Sequence, residues 1–190
     1  MPELSVNLII AAPADRVWTV IGPGFDRIGQ WATAIPASTA TPAATVVSTD
    51  RSGPGTAPTG AGRLPVVPVL DAPVTGRVCT TGIRLLPQVT ETLIAYDDAG
   101  RTLTYEASGM PTFVELARNT WTVIAIDDHR CRVELRARFD TRGWVGRLGR
   151  WAILVQTRRT SRHLAEDLRH YVETGQPSAR KRRQLRRAEQ

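Results

Sequence analysis

The chain has 190 residues, of which 42% are hydrophobic, and it carries a net charge of +7. This length and composition suit one domain with its own core, and no run reaches the ~18 apolar residues of a membrane-spanning helix. The first residues lack the features of a secretory signal, so the default expectation is a cytoplasmic protein. The two cysteines, Cys79 and Cys131, are too few for a disulfide framework and are expected to be small buried side chains.

The first 35 residues predict a strand followed by two short helices. Residues 4–10 are rich in β-branched and apolar side chains, which favours a strand. Pro13 suits the first turn of a helix, and apolar residues then recur up to Ile21. A glycine- and proline-containing break follows. The second short helix is predicted by apolar residues at helical spacing, namely Phe25, Ile28 and Trp31.

Residues 36–75 show almost no periodicity and are rich in Ala, Thr, Pro, Gly and Val. A structureless stretch of this length is unusual inside a compact domain. We expect a short strand near residues 45–49 and a mobile stretch around residues 50–63. The whole segment is either a lid or an irregular insertion.

A clear pattern of strands begins near residue 76. Five are predicted, at residues 77–83, 88–96, 103–108, 116–126 and 131–139. The short turns at residues 97–100 and 127–130 are typical of hairpins, which join antiparallel strands. Charged and apolar residues alternate strictly in the last strand, so one face of the sheet meets water and the other must be covered.

The cover is predicted to be one long helix over residues 144–174, ended by Gly175. Apolar and small side chains form a stripe along it: Trp151, Leu154, Thr157, Ser161, Ala165, Leu168 and Val172. The small residues in the middle leave volume that either bulky strand residues or a ligand would fill. A second apolar set lies on the opposite face of the first half, which is therefore buried on both sides or bent: Trp144, Leu148, Ala152 and Val155.

Together these elements predict an α+β fold, in which a curved antiparallel sheet of six or seven strands wraps around the long helix. The domain would span residues 1–175. Six basic residues, against the single acidic Glu189, fall in residues 176–190. This segment is predicted to be a disordered basic tail whose residues 180–187 are the part able to contact nucleic acid or an anionic membrane.

Two motifs stand out in this frame. Residues 12–18, APADRVW, and residues 90–97, TETLIAYD, resemble the opening and a central strand of the START-like (SRPBCC) superfamily, in its polyketide cyclase/dehydrase-like branch. The resemblance covers most of residues 3–35 and 76–175. It implies a helix-grip fold with a cavity for a small hydrophobic ligand. The chain departs from many members at residues 31–33, where Trp-Ala-Thr replaces Trp-His-Pro.

Glu91 is the first candidate for chemistry. It shares a predicted inner face with Val89, Leu93 and Ala95. A carboxylate in an apolar cavity is costly unless it is paired or protonated. The resemblance implies that it lines the pocket, where it would bind a ligand hydroxyl or amine, or act as a general base. The alternative is a structural glutamate paired with Arg118 or Arg77.

Tyr105 is the second candidate catalytic residue, since its hydroxyl would donate to a ligand oxygen, unless it is a core tyrosine bonded to the backbone. Trp31 would lie at the cavity entrance or simply pack there. The full set of predicted ligand-binding residues is Trp31, Glu91, Leu93, Tyr105, Arg118, Thr120, Leu135, Phe139, Thr157, Ser161 and Ala165.

No metal or cofactor is expected. His163, Asp167 and His170 align on one helix face, but a solvated face explains them better than a metal site. Nucleotide-binding and hydrolase motifs are absent from the sequence. Three functions stay open: a binder or carrier of a hydrophobic molecule, an enzyme of the polyketide cyclase or aromatase type, and an interaction module acting through the basic tail. The sequence leaves open whether the protein is a monomer or a homodimer.

Overall fold

The computed structural model describes residues 3–41, 72–84 and 86–188. In chain order their elements are β1 (Glu3–Ile10), α1 (Ala14–Ile21), a 3₁₀ helix (Phe25–Gln30), β2 (Ala37–Thr41), β3 (Gly76–Ile83), β4 (Leu86–Asp97), β5 (Thr102–Ser108), β6 (Val114–Asp127), β7 (Arg130–Thr141), α2 (Gly143–Thr174) and α3 (Ala179–Ala188).

One antiparallel sheet contains all seven of these strands, in the order β1-β7-β6-β5-β4-β3-β2. The alternation in β7 sets its two faces: Val133, Leu135 and Ala137 are buried, whereas Arg132 and Arg136 are exposed. The inner face packs against α1, the 3₁₀ helix and α2, and the core lies between them. The predicted α+β fold, with a curved antiparallel sheet against a long C-terminal helix, is confirmed.

The segment predicted to be irregular contains a strand at a position that the sequence pattern did not indicate. β2 pairs with β3, from Ala37 opposite Thr80 to Thr41 opposite Gly76. The 3₁₀ helix lies so close to β2 that a Cβ atom on Gly29 would stand 2.6 Å from the backbone nitrogen of Ser38. The strand predicted near residues 45–49 and the mobile stretch at residues 50–63 lie outside the described residues.

A bulge in β4 changes which side chains face the core. The register with β5 shifts between Leu93 and Ala95, so Tyr96 turns inward to oppose Leu103. Tyr96 packs against Trp18 of α1 at 5.5 Å between ring centroids. Ala95 is exposed, and its predicted place beside Glu91 on the inner face was wrong, because strict alternation ends at the bulge.

The long helix α2 packs its second half against the sheet through β1 and β7. Ser161, Ala165, Leu168 and Val172 are buried, as the stripe predicts. The helix ends at Gly175, which takes the left-handed conformation with φ of 74°. The side chains of Trp151, Leu154 and Thr157 lie outside the described residues.

Within the segment predicted to be a disordered basic tail, Ala179–Ala188 instead form α3, which docks on the domain through Lys181. The Lys181 Nζ donates to the carbonyl oxygens of Ile35 (2.7 Å) and Pro36 (3.1 Å) and to Gln184 Oε1 (3.0 Å). Burial lowers the pKa of Lys181 to about 8, against the attraction of Asp167. At neutral pH it is therefore an ammonium whose three N–H groups meet three oxygen acceptors.

Within the part of the chain that the structure describes, no helix is long and apolar enough to cross a membrane.

Replacing Lys181 with Met should release α3, because two carbonyl oxygens lose their buried donor. The opening free energy of residues 179–188 should fall by about 1–3 kcal/mol. Hydrogen exchange measured by mass spectrometry reports this opening directly. Arg183→Met is the matched control, since it removes one positive charge from an exposed position of the same helix. Equal exchange in both variants would refute the docking role of Lys181.

Candidate functional site

Three polar side chains project from neighbouring strands onto the inner face of the sheet. Arg77 on β3 lies directly opposite Glu91 on β4. Tyr105 on β5 lies opposite Leu93, and it is therefore the diagonal neighbour of Glu91. Cys79 joins these three residues. It stands two positions after Arg77, and side chains two positions apart in a strand share a face, so both lie on the inner face of β3.

The centre of the site is an ion pair between Arg77 and Glu91. Arg77 Nε lies 2.5 Å from Glu91 Oε2, and the two side chains are 4% and 13% exposed. The guanidinium also donates through Nη1 to the carbonyl oxygen of Phe25. Burying two charges is expensive, and extra hydrogen bonds of this kind offset the cost. Of the two partners that the sequence left open for Glu91, the structure selects Arg77.

Two aromatic rings flank the guanidinium. Its central carbon lies 3.9 Å from the centroid of the Phe25 ring and 5.3 Å from that of Tyr105. The negative faces of the rings attract the cation, and this attraction is stronger away from water. Phe25 is the first residue of the 3₁₀ helix. Arg77 contacts both the ring and the carbonyl group of Phe25 and so attaches that helix to the sheet.

The ionisation of the neighbouring groups follows from burial beside Glu91. Burial, reinforced by the Glu91 carboxylate, raises the pKa of Cys79 to about 12. The same two causes, in the same order, raise the pKa of Tyr105. Burial is the largest single influence on the pKa of Arg77 and lowers it, but the interactions with Glu91, Tyr105 and Cys79 together outweigh burial, so the net direction is upward. At neutral pH the site therefore holds a thiol, a phenol and an arginine cation.

The two oxygens of Glu91 have different surroundings. Oε2 accepts from Arg77 and lies 3.7 Å from the Cys79 thiol. The hydrogen bonds that described residues donate to Glu91 reach Oε2 and not Oε1, and the side chain is 13% exposed. Oε1 is the oxygen that can accept a hydrogen bond from a further group, such as a ligand hydroxyl.

Apolar side chains surround this polar centre. The inner face of the sheet contributes Val89, Leu93 and Leu135 from the predicted inner set, together with Trp121, and all four are buried. The structure brings Leu93 and Tyr105 next to Glu91 and places Leu135 on the same face, farther along the sheet. Phe139, near the end of β7, is half-buried.

From the helix side, Ser161 and Ala165 of α2 are buried and have small side chains. The side chain of Thr157 lies outside the described residues.

Two predicted ligand-binding residues lie on the wrong face of β6. Arg118 pairs with Glu106 on the outer face at 2.5 Å, and both side chains are more than a third exposed. The hydroxyl of Thr120 lies 3.0 Å from that of Thr104, also on the outer face. The buried Trp121 shows the phase of this strand: its large apolar side chain turns inward, so residues one and three positions away, Thr120 and Arg118, turn outward.

Trp31 is buried at the end of the 3₁₀ helix, and its indole Nε1 has no hydrogen-bond acceptor among the described residues. It borders a groove of about 190 Å³ between α1, the 3₁₀ helix and Tyr171 of α2. A buried donor without a partner is uncommon in folded proteins. Within the described part of the chain, the indole N–H of Trp31 is thus left without an acceptor.

Sequence reasoning treated Arg77 only as an alternative partner and did not select Phe25 or Cys79. Arg77 and Cys79 could have been found from the sequence, because they stand two positions apart in a predicted strand that neighbours the strand of Glu91. The contact of Phe25 is tertiary and has no local signal. Among the described residues, no three His, Cys, Asp or Glu side chains are grouped as a metal site would require.

A family model described as "Polyketide cyclase / dehydrase and lipid transport" matches residues 1–173. No curated protein sequence matches the chain significantly.

Solved structures share the fold at low sequence identity. The protein XoxI from Bacillus cereus has a TM-score of 0.64 at 15% identity, over 92% of this chain and 97% of that one. The Zhui aromatase/cyclase from Streptomyces sp. R1128 has a TM-score of 0.63 at 16% identity, over 90% of this chain and 93% of that one. A START superfamily protein from Mycobacterium smegmatis has a TM-score of 0.62 at 12% identity, over 90% of this chain and 97% of that one.

Replacing Arg77 with Met should destabilise the fold by about 3–5 kcal/mol, because it leaves the Glu91 carboxylate buried without its counter-charge. Adding Glu91→Leu should restore most of that loss. The matched control is Arg118→Met, which breaks an exposed pair and should cost less than about 1 kcal/mol. Urea denaturation measures all three, and equal losses in the Arg77 and Arg118 variants would contradict the buried role.

The thiol of Cys79 should resist alkylation in the folded protein. With its pKa raised to about 12, its thiolate fraction at pH 8 is on the order of 1000-fold below that of an ordinary cysteine. Iodoacetamide labelling followed by mass spectrometry gives the rate, and the substitution Ile94→Cys supplies a more exposed thiol on the neighbouring strand for comparison. Labelling of Cys79 as fast as the introduced thiol would show that the site is open to water.

Proposed function

Because the chain belongs to the polyketide cyclase/dehydrase and lipid transport family, we propose that it binds a small hydrophobic molecule between the inner face of the sheet and α2. The observation that carries this proposal is that Oε1 of Glu91 accepts no hydrogen bond from a described residue, while apolar side chains such as Leu93 and Trp121 lie on the same face of the sheet. A hydrophobic ligand with a single hydroxyl or amine group would bury its carbon skeleton and donate to that oxygen.

Arg77 supports this role by holding Glu91 in place. An ionised carboxylate that already has one charged partner can lie in an apolar site and still accept a second hydrogen bond. The phenol of Tyr105 stays protonated because its pKa is raised, so it can donate to a ligand oxygen. The site thus offers one acceptor and one donor, which selects ligands such as phenols, enols or hydroxylated lipids over plain hydrocarbons.

Catalysis of ring closure is the second candidate. The Glu91 carboxylate, whose Oε1 accepts no hydrogen bond from the described part of the chain, and the protonated phenol of Tyr105 lie on adjacent strands. Glu91 would take a proton from a carbon next to a carbonyl group, and Tyr105 would donate to the oxygen that gains negative charge. The two reacting groups would belong to one substrate molecule. Its confinement in the site would bring these groups close to each other.

Binding can be tested with a pair of ligands that differ in one hydroxyl group. In isothermal titration calorimetry, 1-naphthol should bind more tightly than naphthalene. Glu91→Gln should reduce the naphthol affinity on the order of 10-fold, since a hydrogen bond to a charged group is lost, and leave naphthalene unchanged. Glu106→Gln is the matched control, a glutamate on the outer face that also pairs with an arginine. Equal effects of the two substitutions would argue against the site.

Glu91→Gln, together with Tyr105→Phe, also separates a binder from an enzyme. A poly-β-ketoacyl thioester should be cyclised by the wild-type protein, and not by Glu91→Gln or Tyr105→Phe, if the site is catalytic. Absorbance of the aromatic product follows turnover, and calorimetry follows binding. Binding without turnover in the wild-type protein would leave the protein as a carrier.

A further inference from the structure

A surface rich in arginine lies outside the proposed ligand site. In α3 the side chains of Lys181, Gln184 and Leu185 turn toward the domain. The opposite side of this helix exposes five arginines: Arg180, Arg182, Arg183, Arg186 and Arg187. α3 contains no acidic residue to balance them. Two hydrogen bonds of Lys181, to the carbonyl oxygens of Ile35 and Pro36, hold this helix against the domain, so its arginines form a fixed surface.

The middle of α2 extends this surface. Arg159 and His163 of α2 line a groove together with Arg180 of α3 and Thr33. Arg158 and Arg162 are also exposed on α2, and they line an adjoining groove that again includes Arg159 and His163. We call the exposed residues of α3 and of this part of α2 the arginine surface.

The arginine surface has little internal neutralisation. None of the arginines named above forms an ion pair with a residue that the structure describes. Glu166, which borders the second groove, lies 3.5 Å from His163. The charges are therefore available to an anionic partner.

An exposed apolar side chain beside the arginines favours a lipid bilayer over a nucleic acid as the anionic partner. Val155 is 47% exposed and lines the same groove as Arg158, Arg159 and Arg162. Phosphates of a nucleic acid would be matched by the arginines alone. A lipid bilayer also offers an apolar interior beneath its anionic headgroups, which suits a valine at the border of a cationic surface.

We propose that the arginine surface docks the protein on an anionic lipid bilayer. The arginines of α3 and α2 contact headgroup phosphates, and Val155 reaches the boundary between headgroups and acyl chains. Such docking would place the protein where hydrophobic molecules are dissolved. It does not depend on the proposed ligand, because the charges and Val155 lie outside that site.

Vesicle co-sedimentation with the full chain tests the proposal. The protein should bind phosphatidylcholine vesicles that contain one third phosphatidylglycerol and not pure phosphatidylcholine vesicles. Adding salt should weaken the binding. The combined substitution Arg159→Gln, Arg180→Gln and Arg183→Gln should lower the partition coefficient on the order of 100-fold.

The matched control carries Arg130→Gln, Arg132→Gln and Arg136→Gln, which remove the same charge from exposed positions of β7. It should bind nearly as well as the wild-type protein. Equal loss in both triple variants would mean that only net charge matters, and the proposal would be overturned.

Val155→Asp separates a bilayer from a nucleic acid. It should weaken vesicle binding several-fold, since a charge replaces an apolar contact. Absence of vesicle binding, with tight binding of a short DNA duplex that the arginine variant abolishes, would assign the surface to nucleic acid instead. Binding to neither would remove the surface as a docking site.

Discussion

The ion pair between Arg77 and Glu91 is the constraint on which the site depends. It joins two strands of the sheet, and through the Phe25 carbonyl it also holds the 3₁₀ helix. A buried charge without its partner is far more costly than one with it, so each group fixes the position of the other. The surrounding apolar side chains strengthen the pair by excluding water. Local sequence, sheet register and electrostatics here favour the same arrangement.

The ion pair gives the two oxygens of the Glu91 carboxylate different surroundings. Oε2 accepts from Arg77, whereas no described residue donates a hydrogen bond to Oε1. This arrangement keeps an ionised acceptor in an apolar setting, which a lone glutamate would not achieve. Stability and the proposed ligand recognition therefore depend on the same side chain, and substitutions at Arg77 should disturb both.

The sequence pattern predicted the fold well where side chains alternate without interruption. In β7 the charged and apolar positions alternate strictly, and the structure matches them. Prediction failed where the period is broken or ambiguous. The bulge near Leu93 moved Ala95 outward. Residues 123–126 are apolar at every position and so left the phase of β6 ambiguous, which misplaced Arg118 and Thr120. Glu91 and Tyr105 were placed correctly on the inner face because each stands in a short, regular strand segment.

The tail shows a different limit. A run of like charges indicates a solvated segment when only local composition is considered. The three acceptors of Lys181 come from residues 35, 36 and 184, two of which are distant in sequence, so no local pattern could reveal the docking. Lys181 is also the single lysine of the chain. The folded protein consequently offers no accessible lysine amine to acylating reagents or to enzymes that modify lysine, and acyl groups found at Lys181 would record the moments when α3 has left the domain.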